Sequence, residues 1–279
     1  MGIEKSPKLP RRKVGLALGT GAARGLAHVG VLEVLEKEGI PIDMIAGTSA
    51  GAVIGALYAQ GKDTNQIKKL VMDLNWKRLA SLVDLALPKT GFIGGRKINN
   101  LMRSVIGDME FRDLRIPLAC VATDIETGEE VVINHGSVLE GIRASVSVPV
   151  IFTIAKWEGR YLVDGGLVNP VPVSVLKRMG ADFVIAVNVI PEAGERGRRR
   201  GKKPIKGGKE PNIINVIMQT VYITTNSMVK SSLEGADIVI EPQVAHIAAG
   251  DFHRAQECIL QGKRAAQGCI TKIRGLLQE

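Results

Sequence analysis

The sequence predicts an α/β fold, with three α/β/α layers around a largely parallel central sheet. Two observations carry this. Strand-like and helix-like segments alternate along most of the 279 residues. The uncharged run at residues 44–61 divides at a glycine-flanked turn into a short strand and a helix rather than forming one membrane span.

The elements follow in order. The apolar run at 13–19 reads as a buried strand, and 24–39 as a helix with Leu26, Val29, Leu32 and Leu35 along one side and Gly39 as its stop. A second strand at 43–47 and a second helix at 50–61 repeat the pattern. Further helices are expected near 64–73, 96–106, 138–144 and 171–179. Further strands are expected at 118–123, 130–134, 161–164, 182–189 and 236–242. A long helix closes the chain, with Asp251 as N-cap and Leu277 near its end. No internal repeat is present. The organisation expected is a basic N-terminal tail at 1–12 and one domain at 13–279, with a flexible basic insertion at about 194–210.

Composition narrows the function classes. With 45% hydrophobic and 23% charged residues the chain can build a sizeable core. Its three cysteines, Cys120, Cys258 and Cys269, are too few and too scattered for a disulfide framework or a cysteine-rich metal site. The polar, basic first residues lack the apolar run of a secretory signal, so a cytoplasmic location is expected. They begin Met-Gly with Ser6 placed as in a myristoylation signal, a short pattern that carries little weight alone. Net charge is +9, and residues 196–209 hold four Arg and four Lys without an acid, so the remainder is close to neutral at +1. That segment is either a solvated loop or a point of contact with an anionic membrane. No aromatics are interleaved with its charges, and no nucleic-acid partner is expected.

Three glycine-rich sites carry the chemistry. GTGAARG at 19–25 follows the first strand, and amides near Gly21 and Ala22 can converge on a negative oxygen. A dinucleotide phosphate loop would begin the same way, but the acid it needs at the end of the second strand is missing. GTSAG at 47–51 is a Gly-x-Ser-x-Gly pattern between strand and helix, with Gly47 and Gly51 flanking Ser49. In VDGG at 163–166, Asp164 ends a strand and precedes Gly165 and Gly166. Asp-Gly is also a common hairpin signal, whereas a carboxylate held beside a serine could take its proton. Of the four histidines, His246 or His253 would complete a Ser, Asp, His order, and His28 follows the glycine loop.

In this order the blocks TGAARG, GTSAG and Asp-Gly-Gly resemble the patatin-like phospholipases, as do GLAHVGVLEVLE, ATDIETGE, RASVSVPVIF and the segment 236–266. The resemblance spans nearly the whole chain apart from the first dozen residues and the basic segment. It implies a patatin-like fold and a serine esterase that cleaves lipid acyl esters through a Ser–Asp dyad without histidine. Ser49 would be the nucleophile and Asp164 its base. Gly21, Ala22, Ala23, Arg24 and Gly25 would form the oxyanion loop, and Arg24 would hold that loop in shape. No cofactor or metal is implied, and the partner is a lipid or ester substrate. The oligomeric state is left open. One departure is visible: where the family often has three consecutive glycines, this chain has Thr20-Gly21-Ala22. A competing reading is a lipid-surface or regulatory binding module with little turnover.

Overall fold

The computed structural model describes residues 11–72, 91–93, 95–191 and 212–278. The basic segment 196–209, nearly all of the 1–12 tail and the expected insertion at about 194–210 lie outside these residues.

The central sheet has the order β10-β9-β1-β2-β4-β8-β7, with β5 also paired to β4. Its strands are β1 (Val14–Leu18), β2 (Met44–Thr48), β4 (Leu118–Asp124), β5 (Glu130–Ile133), β7 (Ala155–Trp157), β8 (Arg160–Asp164), β9 (Phe183–Val187) and β10 (Ile238–Ile240). β1 pairs in parallel with β2 and β9, β9 with β10, and β2 with β4. Strands β5, β8 and β7 extend the sheet in antiparallel fashion beyond β4. Two short strands, β3 (Gly91–Ile93) and β6 (Val150–Phe152), form a separate parallel pair.

Side-chain alternation sorts the strands into two cores. Leu16, Leu18, Ile45, Cys120, Phe183 and Ile185 face one side with α1 (Ala27–Lys37), α2 (Ala50–Ala59), α3 (Thr64–Met72) and α5 (Val138–Ser145). Ala17, Ala46, Ala119, Val184 and Ala186 face the other, against Val173, Val175 and Leu176 of α6 (Val173–Arg178). The second face is built from small residues, which lets a six-residue helix sit close on it. A further helix, α4, spans Gly95–Ile106. The chain ends on α7 (Ile213–Ser232) and α8 (Ala255–Gln278).

Helix α8 crosses α1 at glycine. A methyl at Gly30 would overlap the Ile259 carbonyl oxygen, and one at Gly262 would overlap that of Ala27. Gly30→Ala should therefore cost about 2–3 kcal/mol through overpacking, measured as a lower urea midpoint at unchanged slope.

The structure modifies the expected elements at several points. The first helix does not start at Arg24. A 3₁₀ turn covers Ala22–Leu26, because the Ala23 N–H is drawn to the Ala249 carbonyl (3.0 Å) and Gly25 packs against Ala50. Asp251 caps a 3₁₀ turn, Phe252–Arg254, rather than α8, and its carboxylate accepts the Ala248 N–H (2.8 Å) behind it. Helix α7 was not anticipated. Its start is marked by Asn212, whose side chain accepts the Asn215 N–H at 2.8 Å.

Candidate active site

The turn from β2 into α2 is sharp. Ser49 has φ 54° and ψ −117°, a conformation that costs a non-glycine residue energy and is typical of a residue held for function. Close packing enforces it. Gly51 lies against the Leu18 carbonyl, and the Cα face of Gly47 is filled by the Ala52 main chain, so neither position has room for a side chain. Ser49 is 6% exposed, at the N-terminus of α2.

Asp164 ends β8, paired with Ala122. Asp-Gly-Gly does not make a hairpin here. Gly165–Leu167 forms a 3₁₀ turn, and the Gly166 N–H donates to Asp164 Oδ1 at 2.7 Å. Gly165 packs on the Val121 carbonyl, leaving no room for a Cβ. The Thr48 hydroxyl donates to the Asn169 carbonyl (2.8 Å), tying the end of β2 to the segment after this turn. β2 and β8 both flank β4, so Ser49, just past the end of β2, and Asp164, at the end of β8, come to the same part of the sheet beside Val121 and Ala122, near enough for the hydroxyl to bear on the carboxyl. Asp164 Oδ2 is buried without a hydrogen-bond partner. Catalytic hydrogen bonds are often long before substrate binds and tighten in the complex.

Burial dominates the carboxyl's electrostatics. It pushes the Asp164 pKa up to about 6, against the opposing pull of the Ser49 hydroxyl and the Gly166 N–H. At neutral pH the group is therefore an anion with an appetite for a proton, as a general base requires.

The glycine loop lies above the elbow. Thr20 N–H donates to the Pro170 carbonyl (2.9 Å), Ala23 N–H to Ala249 and Arg24 N–H to Gly21 (3.1 Å). Among the described residues the Gly21 and Ala22 amides of this loop, like the Ala50 and Gly51 amides at the start of α2, donate to no acceptor and are open to an anion. Ala22 adopts φ 49°, in the left-handed region that a glycine would occupy at less cost. The Ser49 amide is already engaged, donating to Ser145 Oγ at 2.8 Å. Arg24 is buried, with its guanidinium carbon 6.0 Å from the ring centroid of Tyr222 on α7. It braces the loop against that helix.

None of the four histidines contacts the pair. His28 Nε2 donates to the Gly19 carbonyl (2.8 Å), and burial depresses its pKa to about 4, which keeps it neutral beneath the loop. His246 binds Glu257 (2.6 Å), His135 binds Glu158 (2.9 Å), and His253 is exposed. The three cysteines are free thiols. Ser145 and Ser147 were not singled out from sequence, although the alternating serines of RASVS were in view.

Known proteins carry the same pattern. A family model described as "Patatin-like phospholipase" matches residues 16–177, a stretch that contains the glycine loop, Ser49 and Asp164. The chain belongs to the patatin-like phospholipase family. An uncharacterised NTE family protein of Mycobacterium tuberculosis is 34% identical over 192 residues, covering 69% of this chain and 52% of that one. The lysophospholipase NTE1 of Scheffersomyces stipitis is 31% identical over 268 residues, 89% of this chain but 17% of its own length. The chain thus spans about half the length of the mycobacterial relatives it matches and less than a fifth of the yeast enzyme. Among solved structures, VipD from Legionella pneumophila aligns with a TM-score of 0.55 at 14% identity, covering 94% of this patatin-like chain and 67% of that one. That likeness concerns the fold alone.

Proposed function

We propose that this patatin-like protein is a serine acyl hydrolase cleaving lipid acyl esters through a Ser49–Asp164 dyad. The observation that carries the reading is the strained Ser49 beside a buried carboxyl whose Oδ1 is satisfied and whose Oδ2 is left to accept a proton. Lysophospholipase and esterase relatives support the substrate class. In this reading Asp164 Oδ2 takes the hydroxyl proton as Ser49 Oγ attacks the ester carbonyl carbon. The Gly21 and Ala22 amides hold the resulting oxyanion, each worth about 3 kcal/mol in the transition state. Collapse breaks the ester bond, and the departing alkoxide takes the proton from Asp164. Water then hydrolyses the acyl-Ser49 ester with the same base. Purified protein should turn over p-nitrophenyl butyrate, and failure to hydrolyse any short-chain or lysophospholipid ester would refute the assignment.

A histidine-dependent triad is disfavoured by the bond of His246 to Glu257 and by the exposed position of His253. Their alanine variants should keep kcat/KM within about threefold of the parent. A large loss in a folded variant would restore the triad.

A membrane role is supported by two features: the eight basic residues of 196–209, and Ile213, Ile214, Val216 and Ile223 exposed on the helix that follows in sequence. Flotation with anionic phosphatidylserine vesicles should recover the protein, and deletion of 196–209 should abolish recovery in low salt. Equal recovery of both proteins would remove the segment from the account. Among the described residues no helix is long and apolar enough to cross a membrane.

A further inference from the structure

We propose that the segment Arg143–Ser147 is a bracket that sets the spacing of the two reacting residues, with Arg143 and Ser145 as positioning residues for acyl transfer. The inference rests on the dyad reading above and goes beyond it. Ser49 and Asp164 lie far apart in sequence, at the ends of different strands, yet both hang from this one stretch by their main-chain amides. The Ser49 N–H donates to Ser145 Oγ at 2.8 Å, and the Asp164 N–H donates to the Ser147 carbonyl at 3.0 Å. Any shift between residues 145 and 147 therefore changes the gap across which the proton must pass.

Arg143 holds that stretch rigid. Its side chain is buried, and among the described residues it meets no carboxylate. Its guanidinium donates instead to Ser147 Oγ (2.6 Å), the Thr153 carbonyl (2.6 Å) and Thr153 Oγ1 (2.7 Å). Ser147 Oγ returns a hydrogen bond to the Arg143 carbonyl at 2.7 Å. One planar cation thus ties the last turn of α5 to both ends of the loop 147–153. A guanidinium buried without a counter-charge is costly, and a hydrophobic residue would fill the same space without that cost. The loop it closes is itself strained: Val150, a β-branched residue, sits at φ 71°. A fork of several donors suits the task, because it can restrain two loop ends at once, which a lysine cannot do.

The test compares Ser145→Ala, Ser145→Thr and Arg143→Ala with the parent, using p-nitrophenyl butyrate as substrate. Active sites are counted by covalent titration with a fluorophosphonate, so that kcat is expressed per competent serine and loss of folded protein drops out. Both alanine variants should lose about 10- to 100-fold in kcat per titrated site, with KM within about twofold. Ser145→Thr keeps the acceptor oxygen and should retain most of the rate. Added guanidinium should restore part of the Arg143→Ala rate. Unchanged kcat per titrated site in the alanine variants would overturn the proposal and leave the segment a purely structural one. If Arg143→Ala does not fold, Ser145→Ala decides alone by the same criterion. Failure of the parent itself to label at Ser49 would strike the dyad reading instead, so the two are told apart before any variant is made.

Discussion

Ser49→Ala lowers kcat/KM for short-chain esters by at least about 10⁴-fold, a loss of the size seen when a catalytic nucleophile is removed. The reason is local. Among the residues at the elbow, Ser49 alone combines a left-handed turn, the N-terminus of α2 and contact with a buried carboxyl. Removing its hydroxyl removes the atom that would bond to the acyl group. Ser145 Oγ is fully buried and accepts the Ser49 amide. Little effect on stability is expected, since the strained turn is imposed by the packing of Gly47 and Gly51 and not by the hydroxyl. Stopped-flow ester hydrolysis together with a thermal melt checks both halves.

Asp164→Asn is expected to move activity and stability in opposite directions. Activity falls by about 10³-fold or more, because an amide cannot take the serine proton. Stability rises above pH 6. The folded-state pKa of Asp164, about 6, lies above its ordinary value of 3.8. Between these values the unfolded chain releases a proton that the folded one retains. The stabilising contribution of the protonated group is therefore complete below about pH 4 and is lost as pH rises through about 6. At pH 8 the parent bears the full cost of burying the anion, on the order of 2–3 kcal/mol. The asparagine variant does not bear it and should melt about 5 °C higher or more. At pH 4 the two should converge. A variant less stable than the parent at pH 8 would show that the Asp164 carboxylate is not the buried, strained anion described here.

The fold was legible where the chain buries both faces of a strand. The apolar runs that became β1, β2, β4 and β9 have few polar interruptions, and Gly19 and Gly47 mark the turns after the first two. The antiparallel end of the sheet was harder to read. β7 is three residues long, as is β6 in the separate parallel pair, too short for alternation to register. Helix α7 was missed for another reason. Residues 213–229 carry no charge and are rich in Ile, Val and Thr, which suppresses both the amphipathic period and the helix propensity, leaving Asn212 as the main signal.

At the candidate site, Ser49 and Asp164 could be named from sequence because the proposed chemistry needs particular side chains in particular turns. The glycine loop was visible as a group, but not which of its amides stay open. That depends on carbonyls from distant elements, Ala249 before α8 and Pro170 after β8, which sequence order does not reveal. Ser145, Ser147 and Arg143 were hidden for the same reason. Their contribution lies in main-chain and hydroxyl contacts across the sheet, and nothing in their residue types announces it.

The central claim is that a buried carboxylate activates Ser49 without a histidine. The most direct measurement is the rate of covalent modification by a fluorophosphonate as a function of pH, with the modified residue mapped by mass spectrometry. The account predicts modification at Ser49, a rate that rises to a plateau through about pH 6, and near-complete loss of that rate in Asp164→Asn. Modification at another residue, or an undiminished rate at Ser49 in the asparagine variant, would contradict it.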